Sequence, residues 1–180
     1  WAAYTGTSVV SFNNNGKGAA APADMKVPFV WNGNNGKNPT LTNEQRQTLT
    51  NWTATQEANT DYFFRGWYTN EQCTGDAWVF GLDEGKIVNG FWNDTTLYAK
   101  WVEKKTVTFD TNGKPTDWTG NQLVMTVGAG DKLTAPTAPE AGDKSVFLGW
   151  YKDPACKDGQ QWNFDTDTIS DNTTLYAKWS

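Results

Sequence analysis

Thr95-Thr96-Leu97-Tyr98-Ala99-Lys100-Trp101 and Thr173-Thr174-Leu175-Tyr176-Ala177-Lys178-Trp179 are the same word written twice in one chain. In each copy Leu, Ala and Trp alternate with Tyr and Lys. That is the period-two pattern of a strand with one face on a core and the other outward. A second block repeats as well: Phe64-Arg65-Gly66-Trp67-Tyr68 with Cys73, Trp78 and Phe80 returns as Phe147-Leu148-Gly149-Trp150-Tyr151 with Cys156, Trp162 and Phe164. A third, shorter match sets Val9-Val10-Ser11-Phe12, followed by Gly16, against Thr106-Val107-Thr108-Phe109, followed by Asn112-Gly113. The chain is a tandem repeat, with expected units at 2–102 and 103–180.

Equivalent positions lie 97 residues apart at Phe12 and Phe109, 83 apart at Trp67 and Trp150, and 78 apart at Trp101 and Trp179. The first copy therefore carries 14 extra residues before Trp67 and 5 after it. Both additions belong in loops, because the flanking motifs survive. The larger one falls within the stretch of about 17–61, where any function specific to one unit is expected.

Composition narrows the class. The 180 residues include 11 Trp, 9 Phe and 6 Tyr in a chain otherwise so polar that its mean hydropathy is −0.68. Each unit is small for independent folding, so a few large rings must build each core. A net charge of −5 without a Lys/Arg cluster lacks the basic footprint of a nucleic-acid binder. No apolar run approaches the ~20 residues of a membrane span, so membrane insertion is not expected. Trp1 stands before the first strand much as Trp101 stands before the second, and the chain reads as a fragment of a longer protein.

Local pattern suggests a mostly β, α+β fold with little helix. Val10 and Phe12, then Met25, Val27, Phe29 and Trp31, alternate as strands, and Pro28 puts the second strand at an edge because it cannot donate to a ladder. Thr106 to Phe109 and Leu123, Met125 and Val127 form the corresponding pair. Tyr62 to Tyr68 and Val146 to Tyr151 are apolar on both parities and read as central strands, with Gly66 and Gly149 allowing close approach. Trp78-Val79-Phe80 and Trp162-Asn163-Phe164 read as short strands. The best helix starts at Thr42, whose spacing to Gln45 is that of a capping box. The corresponding stretch of the second copy, Lys132 to Pro139, contains prolines that forbid a regular helix. Val102-Glu103-Lys104-Lys105 reads as a short connector.

These motifs together resemble the Listeria-Bacteroides repeat, the internalin-type B repeat, across both units. The resemblance implies a small β-grasp, ubiquitin-like fold in tandem arrays on secreted or cell-surface bacterial proteins, with adhesive or spacer roles. It implies an extracellular location, and as partners neighbouring repeats of the same chain together with a host or bacterial surface protein or glycan.

Catalysis is not expected, since the sequence has no His, no Gly-rich phosphate loop and no Cys with a base at hand. Asp165 with Asp167, and Asp153 with Asp158, have glycosidase-like pairing but sit in turn-like stretches where Asp bonds its own backbone. With Asp171 they could gather calcium, yet the spacing lacks a dedicated calcium loop, and neither metal nor cofactor is expected. Cys73 and Cys156, one per unit, read as small buried hydrophobes. Asn51-Trp52-Thr53, Asn93-Asp94-Thr95 and Asn172-Thr173-Thr174 have glycosylation-acceptor spacing, which arises readily in a chain rich in Asn and Thr.

The tryptophans divide in two. Trp67, Trp78, Trp101, Trp150, Trp162 and Trp179 recur in register and belong to the core with Phe64, Gly66, Phe80, Leu97, Phe147, Gly149, Phe164 and Leu175. Trp31, Trp52, Trp92 and Trp118 fall outside the shared motifs and are candidate ligand contacts, flat rings suited to a sugar face. Of these, Trp31 continues an apolar stripe and Trp52 can pack under the inserted loop, which makes Trp92 and Trp118 the best exposed candidates. The expected function is a non-enzymatic spacer or protein-interaction module, with carbohydrate binding as the alternative.

Overall fold

A computed structural model describes residues 4–31, 41–83, 86–88, 93–114, 116–118 and 122–180. The chain divides into two compact units, Trp1–Val102 and Glu103–Ser180. Among the described residues it is mostly β, with a single helix.

Unit 1 is built from β1 (Tyr4–Asn13), β2 (Met25–Trp31), α1 (Asn43–Glu57), β3 (Tyr62–Tyr68), the short strands β4 (Gly81–Asp83) and β5 (Lys86–Val88), and the opening residues of β6 (Thr95–Asp110). β1 runs antiparallel to β2 and parallel to the start of β6, which also pairs with β3. β2 is an edge, and Pro28 sits there opposite Thr7 without breaking an interior ladder. The box at the start of α1 forms in full: Gln45 N–H donates to Thr42 Oγ1 and Thr42 N–H to Gln45 Oε1. The helix then runs on through the inserted stretch to Glu57.

Unit 2 repeats the sheet with β7 (Gln122–Gly128) antiparallel to the later part of β6, β9 (Thr173–Trp179) parallel to it, and β8 (Phe147–Tyr151) antiparallel to β9. Residues 132–140 cross without a helix. Val102 to Lys105, which read as a connector, lie inside β6 and are strand.

Three local readings need correction. β3 and β8 are not central: each has one strand partner among the described residues, β6 and β9 respectively. In β8 the two-parity apolar pattern comes from a bulge, since Phe147 faces Trp179 while Gly149 faces the next residue back, Lys178. The extra residue lets Phe147 and Trp150 both reach the core and leaves Leu148 46% exposed. Gly149 serves this bulge through a φ of +133°, and Gly66 at the equivalent position of β3 has a φ of +100°, a region that favours glycine. Finally, Trp78 to Phe80 and Trp162 to Phe164 are irregular segments rather than strands. In both, the first tryptophan is tied to the repeat tryptophan's backbone, Trp78 N–H to Trp67 O and Trp162 N–H to Trp150 O.

Two buried clusters follow. In unit 1 Val10, Met25, Val27, Leu41, Leu49, Trp67, Leu97 and Ala99 are buried together, with Trp52, Phe64, Trp78, Phe80 and Trp101 packed against them. In unit 2 Val107, Phe109, Leu133, Trp150, Trp162, Ile169, Leu175 and Ala177 are buried, with Trp118, Met125, Val127, Phe147, Phe164 and Trp179 around them.

Candidate functional site

The repeated motifs converge on one construction per unit. Phe12 meets Trp67 edge-on at 4.9 Å, and Phe109 meets Trp150 at the same distance. Phe64 lies between Trp67 and Trp101, as Phe147 lies between Trp150 and Trp179. Such edge contacts suit the ring quadrupole. The closing tryptophan then donates its indole N–H back to the first strand's end, Trp101 to Asn14 O at 2.7 Å and Trp179 to Thr111 O at 2.9 Å.

An asparagine ties the same corner. Asn15 and Asn112 sit at φ 52° and 57°, each followed by a glycine with positive φ. Asn tolerates this left-handed turn better than most residues. Asn15 Nδ2 donates to Glu71 O and Ala99 O, and Asn112 Nδ2 to Pro154 O and Ala177 O. Each amide also points at a thiol, Cys73 Sγ at 3.5 Å or Cys156 Sγ at 3.6 Å, and each thiol donates to the Ala99 or Ala177 carbonyl. Burial raises both thiol pKa values above the ordinary range, against the weaker opposing pull of a nearby lysine and the asparagine amide. Cys73 is buried and Cys156 partly so, each at φ near 50°. The sequence signal for this brace was the Asn-Gly following the first strand at the 97-residue spacing.

The four tryptophans outside the shared motifs fare differently. Trp31 pairs through its backbone with Tyr4 at the end of β2. Trp92 lies outside the described residues. Trp52, on α1, is half-buried against Trp67, Phe64 and Trp101, and its indole N–H donates to Ala20 O at 2.8 Å. Trp118 is half-buried and stacked on Trp150, with centroids 5.5 Å apart. Its edge joins Leu123, Met125, Thr134, Ala135, Pro136 and Thr137 around a cleft of about 490 Å³, an apolar feature of unit 2 free of charged lining residues.

The acidic residues are engaged in local structure. Asp167 accepts from Asn163 N–H and pairs with Lys152 at 2.9 Å, and both contacts lower its pKa. Asp153 accepts from Ala155 N–H and pairs with Lys157, and is lowered in the same way. Asp158 pairs with Lys178 at 3.8 Å. The described residues contain no group of three acidic or thiol side chains placed to hold a metal ion.

Comparison with known proteins agrees with this repeat anatomy. A protein of Evansella cellulosilytica provisionally named a membrane protein is 42% identical over 120 residues, which is 65% of this chain and 16% of that protein. A second from the same organism, provisionally named a Gly-rich membrane protein, is 40% identical over 120 residues, 66% of this chain and 12% of its own length. Internalin H of Listeria monocytogenes is 37% identical over 86 residues, 47% of this chain and 14% of that protein. The chain thus spans less than a fifth of each of these relatives. No helix among the described residues is long and apolar enough to cross a membrane. The model of the Listeria-Bacteroides repeat domain matches residues 26–100 and again 106–178, and the chain belongs to that family as two tandem copies.

Proposed function

We propose that the two repeats form a non-enzymatic module of a bacterial cell-surface or secreted protein, a spacer that also offers an interaction surface for adhesion. One observation carries this reading. Both units rebuild the same Asn–Cys–Trp corner from equivalent residues, while the face beside it differs: α1 in unit 1, an open apolar cleft in unit 2. A constant frame with a variable face is the arrangement of repeat scaffolds that present binding surfaces. The names of the relatives, two assigned to the membrane and one an internalin, support a surface location. We read each unit as β-grasp-like, supported by a β1–β2 hairpin, a crossover, and a closing strand placed parallel to the first.

Carbohydrate binding is the alternative, and Trp118 at the rim of the cleft is its support. A pull-down of surface proteins and a glycan array, run with the 180-residue chain, separate the readings. A retained protein favours the interaction module and a retained glycan the alternative. Silence on both removes the interaction surface and leaves the spacer.

A further inference from the structure

We propose that the cleft of unit 2 is a docking groove for a helical segment of a protein partner that presents a stripe of aliphatic side chains. This rests on the interaction-module reading and names its face and the chemistry of its partner.

The inference comes from two strands in the same register. Val10 faces Met25 and Ser8 faces Val27 in unit 1, as Val107 faces Met125 and Lys105 faces Val127 in unit 2. Met25 and Val27 are 7% and 0% exposed, whereas Met125 and Val127 are only half-buried. The difference is the cover. In unit 1 Leu41 and Leu49, the latter on α1, join Met25 and Val27 in one buried cluster, and Trp52 of the same helix lies on Trp67. In unit 2 Pro136 and Pro139 preclude that helix. Trp118 takes the place of Trp52, and Leu133 supplies part of the aliphatic cover. Among the described residues, what remains uncovered is the cleft beside Leu123 and Met125.

The chain therefore contains its own example of what covers such residues, a helix that brings a leucine into the same buried cluster. Helix-in-groove recognition works through anchors at i, i+3, i+4 and i+7. Because Trp118 already fills the aromatic position, the partner needs aliphatic anchors rather than another indole. Because Thr134 and Thr137 are the polar residues of the lining, those anchors meet no fixed charge.

The two methionines of the chain, Met25 and Met125, give a direct test. With ¹³C-methyl methionine in the full chain, Met125 reports on the cleft and Met25 on the covered face of unit 1. The probe is a stapled helical peptide with Leu at i, i+4 and i+7 in a Gln/Thr background, beside a scrambled isomer. The striped peptide should shift the Met125 signal saturably, leave Met25 still, and outdo the isomer at least tenfold in affinity. Ala135→Glu, at an exposed position of the cleft wall, should remove the shift while both free methyl signals keep their positions. A still Met125, equal binding of the isomer, no effect of Ala135→Glu, or a shift produced by oligosaccharides and by no peptide overturns the proposal. If Met125 stays still while the pull-down retains a partner, the groove is wrong and the module reading stands. Silence in both experiments removes the module reading too.

Discussion

Trp118 lies on Trp150 with ring planes inclined by 25° and centroids 5.5 Å apart. Trp52 holds the same relation to Trp67 at 37° and 5.0 Å. Trp67 and Trp150 are equivalent, but Trp52 and Trp118 are not: one arrives on a helix, the other from the loop after the first strand. Each unit has recruited a fourth large ring to cap its repeat tryptophan, by a different route.

Replacing Trp118 is therefore a stability experiment before it is a binding one. A buried Trp truncated to Ala costs ~3–5 kcal/mol, and for a half-buried ring we expect about 2–3 kcal/mol from unit 2. Urea unfolding followed at the Met125 methyl should show the loss, with Trp118→Phe losing less than half as much. An unchanged midpoint for Trp118→Ala would mean the stack contributes nothing. Lost ligand binding in that variant is interpretable only after this check.

Asn112 is the second structural test. In Asn112→Asp the carbonyls of Pro154 and Ala177 lose their donor and face an anion, which should cost about 2–3 kcal/mol at neutral pH. Asn112→Gly keeps the backbone at ease but still loses the donor, and Asn112→Ala adds the strain of φ 57°. The expected order of midpoints is Asn, then Gly, then Ala. An Ala variant as stable as the Gly variant would dismiss the backbone argument.

The closing strands, the edge at Pro28 and the capping box of Thr42 were readable because each rests on a local rule of spacing. The Asn15 and Asn112 corner was half-readable, as a repeated Asn-Gly without its partners. The packing of Trp52 on Trp67 and of Trp118 on Trp150 was hidden, because no common register in the chain connects two residues that meet equivalent partners, one from a helix and one from a loop. The bulge at Gly149 misled for a related reason. One inserted residue flips side-chain parity, so a strand with one core face imitates a strand buried on both.

That bulge gives a third prediction. A Cβ on Gly149 would sit 2.6 Å from Gln161 Nε2 at a φ of +133°. Gly149→Ala should therefore cost about 1–3 kcal/mol, of which trimming Gln161 to Ala recovers only the steric part. Full recovery in the double variant would show that the backbone angle is harmless.

The thiols should be slow. Burial raises the pKa of Cys73 and Cys156, so thiolate is scarce at neutral pH, and a thiol-specific reagent should label native protein far more slowly than unfolded protein. Cys156, only partly buried, should react before Cys73. Because the folded pKa is the higher one, the neutral thiol's share of stability is intact below the unfolded pKa of about 9 and declines as pH rises through the folded value. Labelling of native Cys73 as fast as unfolded Cys73 would contradict the burial argument.

Acid works in the opposite direction on unit 2. Asp167 is lowered first by the Asn163 N–H and then by Lys152, Asp153 by the Ala155 N–H and then by Lys157, and Asp143 by Lys114 and Ser145. A carboxylate with a depressed folded pKa contributes stability above its unfolded pKa, near 4, and loses it as pH falls through the folded value. Unit 2, followed at Met125, should therefore weaken steadily below pH 4. Since Asp143 is exposed and Asp153 and Asp167 are partly so, each share is small and screened by salt. The backbone bonds are less screened than the lysine pairs. Asp167→Asn should consequently blunt the acid response more than Lys152→Met does. The reverse order would assign the effect to the ion pair and not to the turn that Asp167 caps.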